Sequence, residues 1–228
     1  MITYKSSEDF EKMRKAGKVV SNIHYEIFDK TKPGMTLLDL DLIAKEIIER
    51  SNVKPSFLGY HDFPAYICAS PNDVIVHGIP NEYVISEGDI ISVDVGVIFQ
   101  GYHADAAFSF GVGEITEEEK NLLSKTKYAL HEAIKLVKDG QKLGTIGNKI
   151  DKIAKKNNLG NVKNYVGHGI GKEMHEEPQV PHYGKKNTGF ELKTGMAICI
   201  EPMFNLGTED NYVDEDGWTV KTIDGKKS

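Results

Sequence analysis

Three acidic residues stand where acids are costly to place. Asp94 is embedded in Ile90-Ile91-Ser92-Val93-Asp94-Val95-Gly96-Val97-Ile98, whose branched apolar residues predict a buried strand. Asp105 belongs to the next strand-like run, Ala104 to Phe110, beyond a reversal near Phe99-Gln100-Gly101. A hairpin turning there sets Asp94 almost directly opposite Asp105, to within one residue, with Cβ atoms roughly 5 Å apart. Two carboxylates facing each other on a buried face repel, and the usual remedies are a shared proton or a multivalent cation. The competing reading is a pair of solvent-facing aspartates on an edge hairpin. Glu201 repeats the anomaly: it ends the apolar run Met196-Ala197-Ile198-Cys199-Ile200 and precedes Pro202, which stops a strand by removing a backbone donor. Three buried acids call for a metal ion.

A nitrogen donor is at hand. His168 lies in Gly167-His168-Gly169-Ile170-Gly171, where glycines let the backbone approach a ligand and leave the imidazole accessible. The glycine spacing does not fit a dinucleotide loop, and no strand-to-helix context surrounds it. Asp, Asp, His and Glu together form an oxygen-rich set with one nitrogen, suited to manganese, iron(II), cobalt or zinc rather than to a thiolate zinc site. Two ions sharing a carboxylate are compatible with it. His77, in Asn72-Asp73-Val74-Ile75-Val76-His77-Gly78-Ile79-Pro80, and His175, in Met174-His175-Glu176-Glu177-Pro178, read as substrate-facing or supporting groups, with a structural hydrogen-bonding role as the alternative for each. Neither belongs to an HExxH helix, because Pro178 intrudes. His24, His61, His103, His131 and His182 read as structural or surface residues.

The elements that must position these groups come in two rounds. Apolar residues from Phe10 to Ile27 recur at helical spacing over Ser7 to Phe28, with Ser6 and Asp9 placed as a capping box. Thr36 and Asp39 repeat the pattern ahead of Ile43, Ala44, Ile47 and Ile48. Strand-like runs follow at Val74 to Val76, Ile90 to Ile98 and Ala104 to Phe110. Then Thr116 with Glu119 opens a helix to about Val137, a further helix covers about Thr145 to Lys156, and strand-like segments return near Val162 to Val166 and Met196 to Ile200. Lys32-Pro33-Gly34-Met35-Thr36-Leu37 and Lys138-Asp139-Gly140-Gln141-Lys142-Leu143 align at one offset that also matches Leu40 with Ile146 and Ile47 with Ile153. This predicts an α+β fold of two pseudo-twofold helix-helix-strand halves around a central cleft, with chance similarity of two capped helices as the alternative.

Composition narrows the classes. The chain has 228 residues and a net charge of −6, with both signs mixed along it, so a basic stripe for nucleic acid or anionic membrane is missing. One domain spanning 1–228 is expected. The first ten residues lack the apolar core of a signal peptide, and no apolar run approaches membrane-spanning length, which predicts a cytoplasmic protein. Cys68 and Cys199 each sit in an apolar stretch and read as two buried thiols, a disulfide being the lesser reading.

At this point the segments Asn72 to Pro80, Ser92 to Asp105, Gly167 to Val180 and Ile200 to Met203 closely resemble, in order, the signature blocks of type I methionine aminopeptidases. The resemblance covers nearly the whole chain. It implies the pita-bread fold, two divalent metal ions held by Asp94, Asp105, His168 and Glu201 with Asp105 bridging, and removal of the initiator methionine from nascent proteins, with a small second residue preferred. By the same resemblance His77 and His175 contact the substrate near the scissile nitrogen and the carbonyl oxygen, and Glu201 shuttles a proton. Tyr60, Phe63, Cys68, Met174 and Trp218 would form the methionine pocket. A monomer that meets nascent chains at the ribosome is the expected setting. The family carries one more bridging glutamate on a closing strand after the segment matching Gly217 to Val220, and the expectation is that both lie beyond Ser228. The rival expectations are a proline-type aminopeptidase of the same fold and an inactive peptide-binding protein.

Overall fold

The computed structural model describes residues 2–228. Its helices start where the caps place them. Ser6 with Asp9, Thr36 with Asp39 and Thr116 with Glu119 form reciprocal capping boxes ahead of α1 (Ser7–Lys30), α2 (Leu37–Arg50) and α3 (Glu117–Ile134). The third helix ends at Ile134, short of the expected Val137, because Leu136 and Val137 close turn-type bonds to Ala133 and Ile134 instead. A fourth helix, α4 (Leu143–Lys156), lacks a side-chain cap. The strands are β1 (Lys54–Pro55), β2 (Ile67–Pro71), β3 (Val74–Val76), β4 (Ile90–Phe99), β5 (Tyr102–Gly111), β6 (Gly160–Asn161), β7 (Gly167–Gly169), β8 (Glu176–Val180), β9 (Phe204–Asn205), β10 (Asn211–Val213) and β11 (Val220–Thr222). Two expected strands do not form. Val162 to Val166 has no ladder of its own, and Met196 to Ile200 runs extended with one bridge, Ile198 to Gly169.

In the first half β4 is the spine, pairing antiparallel with β1 and β2 on one edge and with β5 on the other. Across this sheet lies α1, whose Ala16, Val20, Ile23 and Ile27 recur on one face and are buried against Val93, Val95 and Val97. Truncating Ile23, fully buried, to Ala should cost about 2–5 kcal/mol through lost burial and the cavity left behind. The second half builds a separate core from α3 and α4, with Leu122, Ile146, Ile150 and Phe204 at its centre.

The repeat read from the sequence has a structural counterpart. Gly34 N–H donates to Ile85 O and Ile85 N–H to Met35 O; Gly140 N–H donates to Leu192 O and Leu192 N–H to Gln141 O. The N-terminal cap residues Thr36 and Lys142 bridge Val84 and Glu191 in the same way. Leu40 and Ile146 are both wholly buried. Helix starts at equivalent positions are thus pinned by equivalent bridging segments, Val84–Ile85 and Glu191–Leu192.

Candidate metal centre

The β4–β5 hairpin carries the first two acids, and its register differs from expectation. A two-residue turn at Gln100 and Gly101, with φ of 49° and 80°, pairs Phe99 with Tyr102. Asp94 therefore sits opposite Ala107, and Asp105 opposite Gly96. The two aspartates share a face as diagonal neighbours, two positions apart, rather than as a directly opposed pair. Their carboxyls still meet: burial, then the charges of Asp105 and Glu201 and the contact with Asp105, hold the Asp94 carboxyl well above the usual carboxylate range.

The second half delivers the other two groups. Gly167 and Gly169 are required by close approach, since a Cβ at either would lie 2.2 Å from Cys199 O or 2.3 Å from Glu177 O. This seats His168 on β7 against the extended segment ending at Glu201, with Cys199 N–H donating to His168 O at 2.7 Å. His168 Nδ1–H donates to Gly169 O at 2.8 Å, which turns Nε2 toward the acids, 3.6 Å from Asp105 Oδ2 and 3.3 Å from Glu201 Oε1. Burial would depress its basicity, but Asp105 and Glu201 outweigh that and raise it. Burial and the Asp105 charge push Glu201 up to about 7, His168 acting in the opposite sense.

Whether a cation suits this cluster can be judged from its unmet valence. Asp105 Oδ1 and Glu201 Oε1 are buried without a hydrogen-bond partner among the described residues, a costly state for carboxylates unless a proton or cation lies between them. Ligand atoms of Asp105, His168 and Cys199 lie within 4.8 Å of one another. The donor set fits a divalent ion. Cys199, expected to be packed away, is only half-buried and faces this cluster, because alternation along an extended segment puts it on the same side as Glu201. Neither cysteine is in a disulfide.

The two further histidines flank the cluster. His175 has its ring 4.2 Å from that of His168, and Tyr60 Oη is 2.8 Å from its Nδ1. Burial and the neighbouring His168 pull its pKa down to about 4. His77 adopts a left-handed backbone, φ 59°, unusual for a side chain of its size, and stacks edge-on with Trp218 and Tyr165. Burial lowers its pKa as well. Beside them Phe57, Phe63, Ala65, Cys68 and Met174 form a small apolar cluster closed by Tyr60, Ile79 and Trp218. All five expected pocket residues are in it; Phe57 and Ala65 carried no sequence signal. A cavity of about 850 Å³ runs beside the cluster, with His77, Asp94, Asp105 and Glu201 sharing its wall with Phe108 and Ile198.

Among the histidines read as structural or surface residues, His182 is structural and touches the site. His182, fully buried, accepts the backbone N–H of Glu201 at Nε2, 3.0 Å away. No motif marks that contact.

A buried acid-and-histidine cluster between two matching helix pairs is the arrangement of a metallopeptidase, and the chain belongs to metallopeptidase family M24, whose model matches residues 11–224. Its relatives in that family narrow the class. The chain is 42% identical over 227 residues to methionine aminopeptidase 1 of Bacillus subtilis, covering 100% of this chain and 92% of the relative. It is 40% identical over 225 residues to methionine aminopeptidase of Escherichia coli K12, covering 98% and 85%. The crystal structure of methionine aminopeptidase from Thermotoga maritima superposes with a TM-score of 0.98 at 42% identity, covering 100% and 92%. Prolidase from Pyrococcus furiosus shares the fold alone, with a TM-score of 0.76 at 21% identity over 91% of this chain and 63% of its own. The fold is the pita-bread fold, and a metallopeptidase of this family works with divalent metal ions. No helix among the described residues is long and apolar enough to cross a membrane.

Proposed function

We infer that this chain is a methionine aminopeptidase, which hydrolyses the first peptide bond of substrates beginning with methionine. The observation that carries this reading is the adjacency of the acid cluster to an apolar cluster. Phe63, Cys68, Met174 and Trp218 pack together as a soft, apolar group chemically suited to an unbranched apolar side chain, with His77 against Trp218 and His175 against His168.

In this reading Asp94, Asp105, His168 and Glu201 would hold two divalent ions, drawn from manganese, iron(II), cobalt and zinc. Such ions supply Lewis acidity that makes water nucleophilic at neutral pH. Asp94 orients the free amine of the substrate, which restricts cleavage to the first bond. Glu201, beside the bound water in this reading, takes the proton that water gives up and returns it. His175 is neutral at pH 7 and presents an N–H to the carbonyl oxygen as charge develops there, a role worth a few kcal/mol. His77 faces the scissile nitrogen. The pocket excludes water around the methionine side chain and fixes the reacting carbonyl. Nascent chains with a small second residue, met in the cytosol near the ribosome by a monomer, are the proposed substrates, on the strength of family membership. All of these groups belong to one domain spanning 1–228 in this reading.

The experiment is release of methionine from Met-Ala-Ser with manganese or cobalt, with chelator as control, and with Leu-Ala-Ser and Ala-Pro-Ala as competing peptides. Metal-dependent cleavage of Met-Ala-Ser alone is expected. Preference for Ala-Pro-Ala would assign the chain to the proline-specific branch, and inertness of folded, metal-loaded protein would remove the enzymatic reading.

A further inference from the structure

The loop between β7 and β8 carries Met174 and His175, yet residues 171–175 form no regular secondary structure. Glu176 holds it. Its Oε1 accepts the backbone N–H of Lys172 at 2.9 Å and of Glu173 at 3.3 Å, closing the loop on itself. Its Oε2 accepts from Lys5 Nζ at 2.8 Å and from the Thr3 hydroxyl, and Lys5 Nζ also donates to Thr3 Oγ1 at 2.7 Å.

The N-terminal segment that brings these donors is itself tied down. Ile2 bridges Glu177 in parallel, and Lys5 N–H donates to Gly195 O at 2.7 Å. The Lys5 and Glu176 side chains are only 3% and 4% exposed. Burying an ion pair this deeply carries a large desolvation cost, so attachment alone is a poor reason for it; fixed geometry is a better one. Gly171 belongs to the same contact, since a Cβ there would come 2.5 Å from Lys5 Cε and 2.7 Å from Glu176 Oε1.

We propose that Thr3 to Lys5 form a strap whose Lys5–Glu176 pair sets the placement of His175 and Met174, making Lys5 and Glu176 positioning residues. The inference rests on the aminopeptidase reading. A displacement of about 1 Å at a reacting group can cost on the order of a hundredfold in rate, and the Lys172 and Glu173 amides of the loop are both held by this one carboxylate, while Tyr60 to His175 and His103 N–H to Gly171 O fix its two ends.

The test compares wild type, Lys5→Met, Lys5→Arg and Glu176→Gln in the full chain. Kinetics on Met-Ala-Ser with saturating manganese are read beside hydrogen exchange of the Lys172 and Glu173 amides and manganese affinity. Lys5→Met should lower kcat at least tenfold with KM changed less than threefold, speed exchange at both amides at least tenfold, and leave manganese affinity within twofold. Lys5→Arg should recover most of kcat. Folded Lys5→Met with wild-type exchange, with faster exchange but unchanged kcat, or with manganese affinity lost in proportion to kcat overturns the proposal. Should Lys5→Met fail to fold, Thr3→Val decides: a threefold or greater rise in exchange with a fall in kcat supports the strap, and wild-type values for either reject it. If wild type itself proves inert on the peptide, the aminopeptidase reading fails, and amide exchange alone decides whether the strap orders the loop.

Discussion

Tyr60 Oη lies 2.8 Å from Nδ1 of His175, although the two residues come from opposite halves of the chain. Burial, with a smaller push from Glu173, raises the Tyr60 pKa, so the phenol keeps its proton and has an O–H to offer Nδ1. His175 is neutral because burial and His168 bring its pKa to about 4. A neutral imidazole whose Nδ1 accepts must carry its one N–H at Nε2. The tyrosine thus selects the tautomer that can donate to a developing oxyanion.

Tyr60→Phe keeps the ring but loses that selection. A net hydrogen bond is worth about 1 kcal/mol, equivalent to roughly a fivefold rate change. We expect kcat on Met-Ala-Ser to fall by roughly fivefold or more with KM little altered, and the ¹⁵N shifts of His175 to show a mixture of tautomers. Unchanged shifts together with unchanged kcat would show that Tyr60 serves only to shape the pocket.

Metal uptake should be linked to protons near neutrality. In the metal-free protein Glu201 is pushed up to about 7, by burial first and Asp105 second, and burial with the Asp105 and Glu201 charges raises Asp94 as well. A carboxyl whose folded pKa is raised contributes stability that is present below its ordinary value of 4.5 and lost as pH rises through about 7. A cation relieves the same repulsion and must displace the proton. Manganese affinity should therefore climb as pH rises through about 7 and flatten above it, with proton release visible in calorimetry run in two buffers of different ionisation enthalpy. Affinity independent of pH across that window, with no buffer dependence, would contradict the proposed role of Glu201.

What could be read in advance divides by range along the chain. The boxes at Ser6 and Asp9, Thr36 and Asp39, and Thr116 and Glu119 are legible because both partners sit within one helical turn. Asp94, Asp105 and Glu201 stand out because burial of a carboxylate is costly wherever the fold puts it. The diagonal pairing was not legible: Gln100-Gly101 lacks the Asn-Gly or Asp-Gly signature that fixes a two-residue turn, and a small error in turn placement moves Asp105 along β4. Contacts between residues remote in sequence left no mark at all. Lys5 with Glu176 depends on how the halves close, and His182 with Glu201 on how segments 19 residues apart pack within the second half; nothing periodic or local encodes either contact.

His182 shows what such a remote contact does for stability. It is wholly excluded from solvent, and burial lowers its pKa from 6.5 to about 4. Its Nε2 must stay unprotonated to accept the Glu201 N–H, 3.0 Å away. A histidine whose folded pKa is depressed contributes stability that is present above its unfolded value and lost as pH falls through the folded one. Between pH 6.5 and 4 this single group should withdraw roughly 3 kcal/mol. In the chelated protein this loss runs against the gain from Glu201 over the same range, so urea unfolding between pH 7 and 5 reads it as the difference between wild type and a variant at His182. His182→Gln, which cannot titrate, should start less stable by about 1–3 kcal/mol if the Glu201 N–H loses its partner, yet lose less on acidification than wild type does. Parallel losses in the two proteins would place the acid sensitivity in other groups, and would mean that His182 shields Glu201 without sensing pH.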